Sequence, residues 1–125
     1  MLSNSASIPK RNEIPEQFKW KLEHIYESNE LWEKDFSEVK ELAKRLGDFK
    51  DKLSLSADNL LKCMDSSAEL SRLFEKVYVY AQMRSHEDSA NGYYQGLADR
   101  TESLAVDVSS ASSFIVPELL SIPDD

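Results

Sequence analysis

The chain has 125 residues, of which 41% are hydrophobic and 30% charged, a composition that suits a single globular domain with its own core. No continuous apolar run has the length of a membrane span, so we expect no membrane insertion. Cys63 is the only cysteine, which excludes an internal disulfide and favours a reducing compartment. The sequence begins without an apolar leader, and we therefore expect a cytoplasmic protein.

The net charge of −8 is concentrated in the last third of the chain. Residues 85–125 contain eight acidic side chains and a single basic one, Arg100. Such a surface repels nucleic acid and anionic membranes, so neither is expected as a partner. The acidic end is interpreted either as a solvated face or as a surface that docks against a basic partner.

The N-terminal residues do not have the pattern of a helix. Residues 1–10 are small and polar, which predicts a disordered N-terminus. Within residues 11–27, Phe18, Trp20 and Leu22 alternate with charged residues, a period of two that is typical of an extended segment with one buried edge. Because no second strand is evident, we interpret residues 11–27 as an extended arm that lies across helices.

Residues 28–125 are predicted to form an all-α bundle of three to four helices, since only three glycines interrupt the middle of the chain. The first helix runs from about Asn29 to Leu46. Ser28 or Asn29 caps its first turn, and Gly47 closes it in the left-handed conformation. Its predicted buried face consists of Trp32, Phe36, Val39, Ala43 and Leu46.

A second helix begins after Ser56. Ser66 and Glu69 have the spacing of a capping box, so the chain either breaks there or continues as one helix from Ala57. Beyond this point the helix is apolar on so many sides that two or more neighbours must cover it. The apolar positions are Leu70, Leu73, Phe74, Val77, Tyr78, Val79, Tyr80, Ala81 and Met83.

The last helix is predicted to start at an Asn91 cap and to end or kink at Pro117. Its buried face comprises Tyr94, Leu97, Thr101, Leu104, Val108, Ala111 and Ile115. Small residues beside that face would let another helix approach closely: Ala98, Ala105, Ser109 and Ser112.

The residues themselves do not predict a catalytic centre. A zinc-peptidase helix requires His-Glu-x-x-His, but the second histidine is missing after His86-Glu87. Cys63 lies among apolar residues, which is typical of a buried, inert thiol. Tyr78 and Tyr80 are interpreted as core aromatics whose hydroxyl groups are hydrogen-bonded. We therefore assign no catalytic residue, metal ligand or cofactor to this chain.

Four stretches in a fixed order nevertheless resemble the N-terminal region of the oligoendopeptidase F family, zinc metallopeptidases that cut short peptides. Two departures from the family pattern are His24, where an acid is common, and Gly92, where a proline often stands. The resemblance covers nearly all of residues 11–125. The stretches are Arg11-x-Glu13-Ile14-Pro15-x-x-Phe18-x-Trp20-x-Leu22-x-x-Ile25-Tyr26 followed by Trp32, Tyr78-Val79-Tyr80-Ala81-x-x-Arg84, Asn91-x-x-Tyr94-Gln95-x-Leu97-x-Asp99-Arg100, and Phe114-x-x-Pro117-Glu118.

This resemblance implies a role rather than a reaction. The zinc ligands and the catalytic glutamate of the family lie in a C-terminal catalytic domain, so this chain alone is expected to be inactive. It would cover one side of a channel for oligopeptide substrates, with Tyr80 and Arg84 as channel-lining residues. The apolar surface left by a missing domain would favour self-association of the isolated chain. The alternative is a stand-alone helical module that binds a partner helix or self-associates.

Overall fold

A computed structural model describes residues 7–124, which form an all-α bundle with an N-terminal arm and contain no strand. This confirms the predicted fold class. The prediction of disorder for residues 1–10 falls partly outside the described residues. The helices are α1 (Asn29–Leu46), α2 (Ala57–Glu87), α3 (Gly92–Ser112) and the short α4 (Ile115–Leu120).

Helix α1 has the predicted limits and the predicted N-cap. The Ser28 hydroxyl oxygen accepts a hydrogen bond from the Leu31 backbone N–H at 3.3 Å, and the predicted apolar face is buried. The prediction for Gly47 was wrong. Its φ is −60°, because the chain passes directly into a 3-10 turn, Gly47–Phe49, and the Gly47 N–H bonds to the last carbonyls of α1. The left-handed residue of this loop is Asp51, with φ of 64°.

Helix α2 is continuous over 31 residues, so of the two alternatives the single helix from Ala57 is the one that occurs, and there is no break near Ser66. Its N-cap is Ser56, whose hydroxyl oxygen accepts from the Asn59 N–H at 3.0 Å. Helices α1 and α3 both pack against α2, as the wide apolar surface required. The buried residues of α2 are Cys63, Leu70, Val77, Tyr80, Ala81 and Ser85.

Helix α3 starts at the predicted cap, where the Asn91 side-chain oxygen accepts from the Tyr93 N–H at 3.0 Å. The helix ends earlier than Pro117, at Ser112. Proline has no N–H for the carbonyl four residues earlier, Ser113, and the helical bonding is interrupted there. Pro117 then lies in the first turn of α4, which proline tolerates.

The N-terminal arm consists of three 3-10 turns: Arg11–Glu13, Glu16–Phe18 and Leu22–His24. Leu22 and Tyr26 are buried in the core, whereas Phe18 and Trp20 are exposed. The predicted buried edge of alternating residues is therefore wrong for its first two positions, because the turns rotate successive side chains away from a common edge. The Tyr26 hydroxyl donates to Asp35 of α1 at 2.7 Å, which ties the arm to the bundle.

One stretch, Gly92–Ser121, is long and apolar enough to cross a membrane by length and composition alone. This qualifies the expectation drawn from the sequence, which found no such run. A single stretch of this kind is weak support for a membrane location. It also carries Asp107 and Glu118, whose charges are costly to place in lipid.

Candidate functional site

Tyr80 and Arg84 lie one turn apart on α2, near its C-terminal end. Tyr80 is only 1% exposed, and the side chain of Arg84 is largely buried. The guanidinium Nε of Arg84 donates to the Tyr80 hydroxyl oxygen at 3.1 Å, and its carbon lies 5.2 Å from the centre of the Tyr80 ring. The Tyr80 hydroxyl donates in turn to the side-chain oxygen of Asn29 at 3.3 Å. Tyr80 therefore holds Arg84 in place from the buried side of the site.

Glu87 joins Arg84 to the N-terminal arm. Its Oε1 accepts from Nη1 of Arg84 at 2.8 Å, and its Oε2 lies 2.6 Å from Nη2 of Arg11 in the arm. The side chain of Glu87 is only 6% exposed, so its charge depends on these two guanidinium groups. We call Arg11, Arg84 and Glu87 the arm clamp.

Arg84 also reaches the arm and α3 directly. Its Nη2 is 3.5 Å from Oε1 of Glu23, and its guanidinium lies 5.4 Å from the ring centre of Tyr94. Three separate segments of the chain, the arm, α2 and α3, therefore meet at this one side chain.

The electrostatics of the site keep Arg84 charged. Burial opposes the charge of the guanidinium, but the hydrogen bonds to Tyr80 and Glu87 outweigh burial and raise the pKa of Arg84. The pKa of Glu23 is lowered by a hydrogen bond to its backbone and, to a smaller extent, by the positive charge of Arg84.

A polar cleft of about 310 Å³ lies where the arm passes over α2 and the start of α3. Its walls contain both signs of charge and two aromatic rings, a set that suits polar, extended ligands rather than apolar ones. A second, larger cleft of about 800 Å³ is also bordered by Arg11 and Glu87 of the arm clamp. The residues that line the smaller cleft are Arg11, Glu16, Lys19, Trp20, Lys21, Glu23, Arg84, Glu87, Asp88 and Tyr94.

The structure brings the two sequence-predicted residues together, but only Arg84 borders the cleft. Sequence reasoning missed Glu87 and Arg11. The three-residue spacing of Arg84 and Glu87 on one helix was a usable signal. The contact with Arg11 depends on the path of the arm, which no local pattern encodes.

The other chemical candidates are placed apart from the cleft or on its edge. Cys63 is buried, and burial together with the negative charge of Glu118 raises the pKa of its thiol, as expected for an inert cysteine. His86 borders the larger cleft. Among residues 7–124, no three side chains of His, Cys, Asp or Glu converge in a way that would hold a metal ion. The donor groups of these described residues therefore do not fit a zinc site.

Comparison with known proteins gives a consistent set of relatives. Oligopeptidase PepF of Bacillus subtilis is 40% identical over 118 residues, which is 94% of this chain and 18% of the relative. Group B oligopeptidase PepB of Streptococcus agalactiae is 32% identical over 91% of this chain and 19% of its own length. The chromosomal oligoendopeptidase F of Lactococcus lactis subsp. cremoris is 33% identical over 90% of this chain and 19% of its own length.

The chain thus spans less than a fifth of the length of these curated relatives. No family model matches the chain, and no solved structure matches it significantly.

Proposed function

Because this chain belongs to the oligoendopeptidase F family, we propose that it is the N-terminal helical region of a peptidase that hydrolyses short peptides. The observation that carries the proposal is the 40% identity with oligopeptidase PepF over 94% of the chain. The match takes up 18% of that relative, which leaves ample sequence for a catalytic domain elsewhere.

In this proposal the chain forms one side of the substrate channel and supplies no catalytic residue. Zinc and its ligands belong to a C-terminal catalytic domain, which is the main partner of this region. The oligopeptide substrate and a cytoplasmic location are parts of the same proposal, the second in agreement with a single buried cysteine.

Arg84 is proposed to face the peptide channel, and Tyr80 is proposed to position it. Arg84 borders the polar cleft, whereas Tyr80 is 1% exposed and hydrogen-bonds Arg84 from beneath. A fixed guanidinium suits the backbone carbonyls or the terminal carboxylate of a short, unfolded peptide. A folded protein would not reach a cleft of about 310 Å³.

The proposal is tested by incubating the purified chain and zinc with a fluorescence-quenched oligopeptide. We expect no turnover above the rate without protein. Turnover that requires metal and is abolished by a chelator would show that the chain is itself a peptidase, contrary to the proposal.

A second candidate function is a stand-alone helical interaction module. The observation in its favour is the closed core of the three long helices, in which Trp32, Val39, Leu46, Val77 and Ala81 are fully buried. An open reading frame that stops directly after residue 125 would favour the module, and a frame that continues into a His-Glu-x-x-His helix would favour the peptidase.

A further inference from the structure

Asn91, the residue that caps α3, is followed directly by Gly92. It is the only asparagine of the sequence that precedes a glycine. The backbone nitrogen of Gly92 can attack the side-chain amide carbon of Asn91 and close a ring within the chain. Glycine has no side chain to obstruct that approach. The pair therefore combines a structural cap with a reactive dipeptide.

The surroundings leave this pair open to water. Asn91 is half-buried, and Ser89, Ala90 and Gly92 are exposed. Because Gly92 is the first residue of α3, its N–H has no acceptor inside the helix. A Cβ added at Gly92 would meet no atom within 4 Å. The attacking nitrogen and the water that completes the reaction are therefore both available without unfolding of the core.

Asn12 and Asn59 lie in a different setting. Each is followed by a residue that has a side chain and whose N–H is hydrogen-bonded. The acceptors are the carbonyl oxygens of Lys10 and Ser56, at 2.9 and 3.2 Å. A nitrogen that is held in this way and shielded by its side chain is a poor nucleophile toward the neighbouring amide, so these two asparagines serve as internal references.

The folded cap opposes the reaction at Asn91. Its side-chain oxygen accepts from the Tyr93 N–H at 3.0 Å, and its backbone angles are φ −83° and ψ 105°. Ring closure has to release this hydrogen bond and rotate ψ until the Gly92 nitrogen meets the amide carbon. Local opening of a structure requires less free energy than global unfolding. The rate is therefore controlled by opening of the first turn of α3.

We propose that Asn91 is a site of spontaneous deamidation, an inference that goes beyond the proposed peptidase role and does not rest on it. The Gly92 nitrogen loses its proton and bonds to Cγ of Asn91, the Cγ–Nδ2 bond breaks, and ammonia leaves with that proton. Water then opens the resulting succinimide at one of its two carbonyl carbons. Cleavage of the bond between Cγ and the Gly92 nitrogen gives aspartate. Cleavage at the backbone carbonyl gives isoaspartate, in which the chain runs through the side-chain carbons.

The two products affect α3 differently. Aspartate keeps an acceptor oxygen at the cap and adds a negative charge, which a helix N-terminus favours. Isoaspartate adds a methylene group to the backbone, so the geometry of the cap is lost. The first turn of α3 also carries Tyr94, whose ring centre lies 5.4 Å from the Arg84 guanidinium. The isoaspartate form therefore loosens the segment that packs on Arg84.

The test incubates the whole 125-residue chain in mildly alkaline buffer and follows each asparagine by peptide mapping with mass spectrometry. This separates the asparagine, aspartate and isoaspartate forms. We expect Asn91 to lose its amide at least about tenfold faster than Asn12 or Asn59, because its neighbour is glycine. In guanidinium chloride that unfolds the chain, the loss should be at least about threefold faster still, because the cap is absent.

Gly92→Ala and Gly96→Ala separate the chemistry from the stability of the helix. Both place a methyl group on α3 where it meets no atom within 4 Å, and both favour helix formation. Gly92→Ala should slow the loss at Asn91 more than about tenfold, because the methyl group obstructs ring closure. Gly96→Ala changes only the stability of α3 and should slow the loss less than about fivefold.

The proposal is overturned if Asn91 keeps its amide as long as Asn12 and Asn59 do, or if the two alanine variants slow its loss equally. Loss in the folded chain as fast as in denaturant would contradict control by the α3 cap. In the purified isoaspartate form, amide hydrogen exchange in the first turn of α3 should be faster than in the parent chain. Unchanged exchange there would refute the loosening of α3.

Discussion

Trp32 shows how one side chain joins two helices of this bundle. Its indole is fully buried, and its Nε1–H donates to the Val77 carbonyl oxygen of α2 at 2.9 Å. The ring also stacks on Phe36 with 5.1 Å between centres. A directional bond to one carbonyl in the middle of α2 fixes how far α1 is displaced along its neighbour. Trp32 therefore sets the register of the two helices.

We predict that Trp32→Phe lowers the free energy of unfolding by about 2–3 kcal/mol, because the hydrogen bond is lost and a smaller ring leaves a space. Urea unfolding followed by circular dichroism measures this. Trp20→Phe is the matched control, since Trp20 is exposed, and it should change the stability by less than about 0.5 kcal/mol. Equal effects of the two variants would contradict the role given to Trp32.

Glu87 is the residue on which attachment of the first part of the arm depends. Glu87→Gln removes the charge that two guanidinium groups share, so we predict a loss of about 1–3 kcal/mol of stability. Amide hydrogen exchange of residues 10–14 should become faster at the same time. Glu16→Gln, which alters only an exposed ion pair with Lys19, should change neither quantity. Unchanged exchange in Glu87→Gln would show that the arm is held elsewhere.

Between elements, α1 and α3 are linked at the surface by Glu33 and Arg100. The guanidinium of Arg100 binds both carboxylate oxygens of Glu33, at 2.6 and 2.8 Å, and lies over the rings of Trp32 and Phe36. The hydrogen bonds to Arg100 lower the pKa of Glu33, although burial opposes them. A group with a lowered pKa in the folded state stabilises the fold above its unfolded pKa, and this contribution is lost as the pH falls through the folded pKa.

We therefore predict that this pair loses its contribution as the pH falls below the ordinary range of a glutamate, about 4.3. Because the pair is partly exposed, the contribution is below about 1 kcal/mol. In urea titrations at pH 7 and pH 3, Glu33→Gln should be less stable than the parent at pH 7 and nearly equal to it at pH 3. An equal difference at both pH values would contradict this assignment.

The loop between α1 and α2 is held by the last helix. The carboxylate of Glu118 in α4 accepts from the backbone N–H groups of Asp51 and Leu53, at 2.9 and 3.5 Å. Asp51 has φ of 64°, a conformation that aspartate tolerates and that β-branched residues do not.

Asp51→Val should accordingly destabilise the chain by about 1–3 kcal/mol through backbone strain. Asp51→Asn is the control with little expected effect, because asparagine also adopts left-handed angles. Thermal melting of both variants measures the difference. Equal melting temperatures would mean that the loop readily adopts another conformation.

The sequence predicted the helices well where a local signal was unopposed. Ser28 and Asn91 cap their helices as predicted, α2 begins after Ser56 as predicted, and the apolar face of α1 is the buried one. Ser66 carried a similar signal and was misleading, since packing of α2 on both neighbours outweighs a local capping preference. The arm was harder to predict, because its 3-10 turns are fixed by contacts with α2 that lie far away in sequence.

The candidate site was predictable only in part for the same reason. Tyr80 and Arg84 share a helix face, which helical spacing reveals. That one of them is buried beneath the other depends on Asn29 and Tyr94, which come from other segments. Their contact with a peptide channel stays a prediction.

At the scale of the whole molecule, three long helices bury a shared core, and several surfaces of residues 7–124 remain exposed. Among them are the polar cleft beside the arm clamp and the exposed apolar side chains of Val106, Val116 and Leu120 on α3 and α4. The chain matches its relatives over 90% or more of its own length and covers less than a fifth of theirs.

The proposal that this chain is the N-terminal region of a peptidase is tested most directly with a chimera. The matched region of Bacillus subtilis oligopeptidase PepF is replaced with the present chain, and cleavage of a quenched oligopeptide is followed. We predict that the chimera keeps turnover within about tenfold of the parent, whereas deletion of the region abolishes it. A deletion variant as active as the parent, or a folded chimera with no turnover, would contradict the proposed role.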